Sequence, residues 1–178
     1  MLSMSADTGC AASTRLAPTL VLGVGNILLG DEGAGVRVIE EIRKHELPED
    51  VEVVDGGTLQ LVLIDIIRGR RKVVVVDAVN GGEPPGSIYR FEAGDLQEAS
   101  KHIGTVHDLG VVEAVFFLDL MQELPSDFVF YGVEPHSFEP SLELTPAVAA
   151  ALPRLTELVM NEIGIKNKGI QTHQGDAQ

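Results

Sequence analysis

Residues 72–79, KVVVVDAV, constrain the chain more than any other stretch. Consecutive valines offer no polar face, so a strand made of them has to be covered on both sides. That places it in the middle of a sheet with helices above and below, joined to parallel neighbours by helical crossovers. The flanking sequence alternates accordingly. Thr19–Val24 is an apolar strand, and a helix is expected from about Asp31 to His45, with Val36, Ile39 and Ile42 on one face. VEVVD (51–55) is a second strand, and LQLVLIDIIRG (59–69) a helix that stops at Gly69. Ser87–Phe91 follows the central strand after a Gly- and Pro-rich turn too short for a helical crossover, so it has to run antiparallel. A helix from about His107 to Met121 and a strand DFVFYGV (127–133) come next. The last helix begins at Thr145 as N-cap with Pro146 at its first position, and Pro153 is expected to kink or restart it. The expected fold is a three-layer α/β/α sandwich with a mixed five-stranded sheet, mostly parallel with one antiparallel strand.

Charge and cysteine content narrow the function. Twenty-seven acidic against 13 basic residues give a net charge of −14, which repels nucleic acid and anionic membrane alike. No apolar run reaches the roughly 20 residues a membrane span needs. Cys10 is the one cysteine, which excludes internal disulfides and cysteine-rich metal sites and suits a reducing cytoplasm. Residues 1–18 are small and polar, without the basic and apolar regions of a signal peptide, and are expected to form a flexible extension. A flexible tail is expected over 165–178, leaving 19–164 as a single domain, cytoplasmic and monomeric.

The turn after the first strand, GNILLGDEGAG (25–35), has the outline of a phosphate cradle but carries Asp31 and Glu32 where the helix begins. GVGNIL supplies the first two glycines of a dinucleotide fingerprint, with Leu28 in place of the third, and Asp55 stands where a ribose-binding acid would. Two carboxylates at the helix start would repel a pyrophosphate, which argues against nucleotide. The plainer account is that both acids cap the helix, and for Asp31 alone that account is preferred. Gly33 and Gly35 imply in addition that something approaches the backbone closely. Acids on a glycine-lined strand end suit a cation.

Ligands of mostly parallel sheets bind beyond the carboxyl ends of the strands. Glu32 follows the end of the first strand, Asp55 closes the second, and Asp77 closes the valine strand. Asp77 has the competing explanation of capping a turn through Asn80. TVHD (105–108) fits a helix-capping pattern that puts His107 in a first turn, where the helix dipole favours the neutral, metal-binding imidazole. His136 is the rival histidine. Glu32, Asp77 and His107 together form an O,O,N set suited to zinc, nickel or another divalent ion, with positions left open. No serine nucleophile motif is present.

LGVGNILLGDEGAGVRVIEEI, VDGGT, VVVVDAV, HDLG and YGVEP, in that order over residues 19–163, resemble the hydrogenase maturation endopeptidases. That resemblance implies an endopeptidase, filed as aspartic-type, that removes the C-terminal extension of the [NiFe]-hydrogenase large-subunit precursor after nickel insertion. It implies that Glu32, Asp77 and His107 contact nickel carried by the precursor, and that the free protein takes up an ion such as zinc or cadmium there. Asp55 matches the acid of the family's DGGT stretch and is assigned an acid–base or water-orienting role. The alternative for Asp55 is a carboxylate that holds the Gly56–Gly57 turn. The alternative for the whole chain is a non-catalytic nickel-sensing or chaperone-like binding module.

Overall fold

The computed structural model describes residues 16–58, 62–99, 104–105 and 110–165. His107 therefore lies outside the described residues, as do His102, His173, Cys10 and most of the expected extension and tail. Six strands and five helices alternate along these residues: β1 (Thr19–Val24), α1 (Ala34–Ile42), β2 (Val51–Gly57), α2 (Leu63–Ile67), β3 (Lys72–Asn80), β4 (Ile88–Glu92), α3 (Ala93–Ala99), β5 (Gly104–Thr105), α4 (Val111–Leu120), β6 (Asp127–Val133) and α5 (Pro146–Glu162). Five strands form the main sheet in the order β2-β1-β3-β6-β4. β1, β2, β3 and β6 run parallel, and β4 is antiparallel to β6.

The valine strand is indeed central. Its odd-numbered Val73 and Val75 pack with Leu20, Leu22 and Phe130 under α2, α3 and α4, while Val74 and Val76 pack with Val21, Val129 and Tyr131 under α1 and α5. Period-two alternation thus feeds two separate cores from one strand. No described helix is long and apolar enough to cross a membrane.

Several elements differ from expectation. The helix predicted from Asp31 splits: Gly30–Gly33 is a 3-10 turn, and α1 proper starts at Ala34 and ends at Ile42. α2 is confined to Leu63–Ile67, although Gly69 does take a positive φ of 77° beyond it. α3 and the two-residue β5, which pairs antiparallel with Val79 and Asn80, were not anticipated. α5 continues through Pro153 as one helix and does not restart there. Pro153 lies on the solvent face, where water can take the carbonyl its missing N–H leaves behind. Buried Val148, Leu155, Val159 and Met160 hold the opposite face to the sheet.

Candidate functional site

Strand register brings the carboxyl ends of the parallel strands to one edge. Gly23 of β1 lies between Asp55 of β2 and Val76 of β3, and Asp77 lies beside Gly132 of β6. The turn 25–33 leaves β1 at this edge and folds back tightly against the sheet. A Cβ on Gly35 would come within 2.3 Å of the carbonyl oxygens of both Val24 and Val76, and one on Gly25 within 1.9 Å of Glu32 O. What approaches these glycines is the chain's own backbone. The close packing brings the helix start down onto β1 and β3. The expected close approach is present, and its partner is internal.

Asp31 and Glu32 are both buried by this arrangement. The N-caps of the 3-10 turn and of α1 are Leu29 and Gly33, and neither makes a side-chain capping bond. Asp31 reaches across to the segment after β6 instead. Its Oδ2 accepts from His136 N at 2.8 Å, Ser137 N at 3.2 Å and Thr145 Oγ1 at 2.8 Å, and its Oδ1 accepts from Thr145 N at 2.7 Å. The capping account of Asp31 fails because the 3-10 turn aims the side chain away from α1. It clamps the 134–145 loop and the start of α5. Thr145 is the N-cap of α5 as expected, but its hydroxyl serves Asp31.

Asp77 is 3 % exposed, and its Oδ1 accepts from the Ala78 amide at 2.7 Å. Burial pushes its carboxyl up to about 7; the Ala78 bond opposes that rise and the negative charge of Glu32 adds to it. The Asn80 turn is not what Asp77 serves. Glu32 and Asp77 therefore come together as a buried acidic pair, unfavourable when both are ionised and relieved by a cation. Among the described residues no set of three His, Cys, Asp or Glu side chains is placed to hold a metal. The third member anticipated from the sequence, His107, is not among them. His136, its rival, has an exposed side chain and contributes its backbone N–H to Asp31.

Asp55 stands apart. It is exposed, and its Oδ1 accepts from Gly57 N at 2.9 Å, the turn-holding bond of the alternative account. Glu134 is a further buried acid, unassigned from sequence. It follows β6 and accepts from Gly81 N at 2.8 Å, Gly82 N at 3.2 Å and the Tyr89 hydroxyl. Burial and Glu134 push Tyr89 up to about 12. The signal that could have found Glu134 is the one that marked Asp77: an acid ending an apolar strand.

The family described as hydrogenase maturation protease matches residues 36–162, well over half of the chain. The hydrogenase 2 maturation protease of Escherichia coli K12 is 33 % identical over 154 residues, which cover 85 % of this chain and 93 % of the relative. The chain belongs to the hydrogenase maturation protease family. It is accordingly a peptidase. HupD of Thiocapsa roseopersicina, a hydrogenase expression/formation protein, is 34 % identical over 152 residues, 78 % of this chain and 67 % of that one. Among solved structures, the hydrogenase maturating endopeptidase HybD from E. coli superposes with a TM-score of 0.76 at 33 % identity, covering 82 % of this chain and 91 % of that one. The [NiFe] hydrogenase maturation protease HybD from Thermococcus kodakarensis, at 22 % identity and a TM-score of 0.68 over 82 % of this chain and 98 % of that one, shares the fold.

Proposed function

We propose that this maturation protease removes the C-terminal extension of a [NiFe]-hydrogenase large-subunit precursor once nickel is in place, and that it recognises the nickel through Glu32, Asp77 and His107. The observation that carries this reading is the buried Glu32–Asp77 pair at the carboxyl edge of the sheet, where Asp77 is held near neutrality. A divalent cation offered by a bound precursor lets both acids ionise without mutual repulsion, so binding is strongest when the cargo is present. His107, in the segment before α4, supplies the nitrogen of an O,O,N set. Open positions would be completed by the groups that already hold the nickel in the precursor. In the free protein the same residues would take up zinc or cadmium.

Recognition of the cargo fixes the adjoining peptide bond against the protease, which is catalysis by positioning. Asp55, exposed at the neighbouring strand end with its carboxylate oriented by Gly57, is the proposed acid–base or water-orienting group, the aspartic-type component of the mechanism. The protein is proposed to act as a cytoplasmic monomer.

The test uses nickel-loaded and nickel-free precursor, with trimming followed by mass spectrometry. Wild type should shorten loaded precursor and leave nickel-free precursor intact, and Glu32→Gln should shorten neither. A chain that binds loaded precursor without shortening it would be a nickel-sensing module. Correct trimming of nickel-free precursor by Glu32→Gln would overturn the recognition model.

A further inference from the structure

β2 is an outer strand of the sheet, and no strand among the described residues pairs with its far edge. Thr19 N donates to Asp50 O, so in the parallel ladder Asp50, Glu52 and Val54 turn their backbone groups toward β1 while Val51, Val53 and Asp55 turn theirs away. Val51 N is used by the turn, donating to Pro48 O at 3.0 Å. Val53 O accepts from the exposed Arg43 guanidinium at 3.0 Å. The amides of Val53 and Asp55 have no partner among the described residues. They form a short template that ends at the carboxyl edge of the sheet.

We infer that this edge receives the precursor's C-terminal extension as an added β-strand, an inference that rests on the function proposed above. Backbone donors and acceptors spaced two residues apart are matched by another extended polypeptide, the mode by which peptides add to sheet edges. The edge runs into Asp55, so a strand paired along it delivers its end to the candidate site. The opposite edge, β4, lies at the other end of the sheet from Asp55. There Arg90 and Glu92 are exposed and paired with each other, and Arg90 is paired with Glu162 as well.

Charge selects the occupant. Glu49, Asp50, Glu52 and Asp55 line the β2 edge, with Glu52 paired to Arg70. A second copy of this chain pairing β2 to β2 would set these acids against one another. The complementary strand is therefore neutral to basic. Arg43, seated on Val53 O, covers the edge when it is empty and is displaced when the strand arrives.

Val53→Pro tests this directly. It deletes an outward N–H without removing a bond to β1, and an edge position accommodates proline. KM for nickel-loaded precursor should rise about tenfold, the scale of one lost hydrogen bond. Val53 packs against the core, so the melt should fall by the lost side-chain contacts, while kcat at saturating precursor should stay near wild type. In parallel, pulsed amide exchange on the full wild-type chain should show Val53 and Asp55 protected at least about tenfold by extension-bearing precursor, and not by precursor already lacking its extension. Should Val53→Pro fail to fold, the exchange measurement on the native chain decides alone. Unprotected amides in a wild-type chain that still trims its precursor, or an unchanged KM in Val53→Pro, would overturn the inference and leave the proposed function standing. Protection that grows with protein concentration in the absence of precursor would overturn it in favour of self-pairing. Failure of wild type to cut loaded precursor overturns the proposed function itself and is read before any variant is made.

Discussion

Two buried acidic groups lie at the carboxyl edge of the sheet, and their surroundings differ. Asp31 gathers four hydrogen bonds from His136, Ser137 and Thr145, three of them from backbone amides. Asp77, close enough to Glu32 to feel its charge, accepts from the Ala78 amide and is pushed up to about 7. Burial costs a carboxylate its hydration in both places. At Asp31 donors from the chain replace the water; at Asp77 the Ala78 amide opposes the effect of burial, and the charge of Glu32 adds to it. A buried acid satisfied by the chain's own donors holds the fold together, whereas a pair of buried acids gains from any cation that separates their charges.

The largest expected effect breaks the clamp. Asp31→Ala strands the amides of His136, Ser137 and Thr145 and should cost about 3–5 kcal/mol of stability. Glu32→Gln, one residue along, should stay within about 1 kcal/mol of wild type, because loss of a like charge beside Asp77 offsets the loss of Glu32's own contacts. Chemical denaturation of both variants checks this. Equal destabilisation would erase the distinction between the two acids.

The second effect is on activity. Glu32→Gln, Asp77→Asn and His107→Ala should each lower processing of loaded precursor and uptake of cadmium by more than about a hundredfold, since changes behind a metal ligand already cost about 10–100-fold. His136→Ala should change neither, since that residue contributes its backbone amide. Loss of cadmium uptake in His136→Ala with His107→Ala unaffected would move the third ligand to the wrong side of the comparison.

A third, smaller effect extends the comparison to Glu134, a clamp of the Asp31 kind. Glu134→Gln should cost about 1–2 kcal/mol, since an amide cannot accept from Gly81, Gly82 and Tyr89 as a carboxylate does. The Tyr89 phenol, freed of a neighbouring negative charge, should titrate below its present value of about 12, followed by ultraviolet absorbance. An unmoved Tyr89 would show that burial alone sets it.

The layered fold and the strand ends were legible because apolar period and strand length are local properties, and KVVVVDAV admits few environments. Glu32 and Asp77 were legible for a related reason: each ends or follows an apolar strand, and parallel topology puts strand ends together. Asp31 was misjudged because its partners, at positions 136–145, are more than a hundred residues away, and no local pattern announces them. The glycines of the opening turn raised the right expectation of close approach without saying from what. That depended on where Val76 would lie. The continuity of α5 through Pro153 was hidden for the same reason, since tertiary packing of the opposite face overrides the local penalty.

The smallest effect concerns Glu162, where burial also acts on a carboxylate but the outcome reverses. Burial raises Glu162 as it raises Asp77, yet hydrogen bonds from Arg90, Tyr131 and Lys72, at 3.0, 3.1 and 3.3 Å, outweigh it and hold the carboxyl below its ordinary value of 4.5. A depressed folded pKa stabilises the protein above the unfolded pKa, and that contribution is lost as pH falls through the folded value. The window therefore opens at about pH 4.5 and extends downward. The group is partly exposed and solvent screens its partners, so the contribution should be a few tenths of a kcal/mol to about 1 kcal/mol. Melting temperatures of wild type and Glu162→Gln should differ by a constant amount from pH 7 to 5 and draw together as the pH falls below 4.5. Parallel curves down to pH 3 would mean that the basic partners do not lower Glu162, and that they leave it no better satisfied than the acidic pair around Asp77.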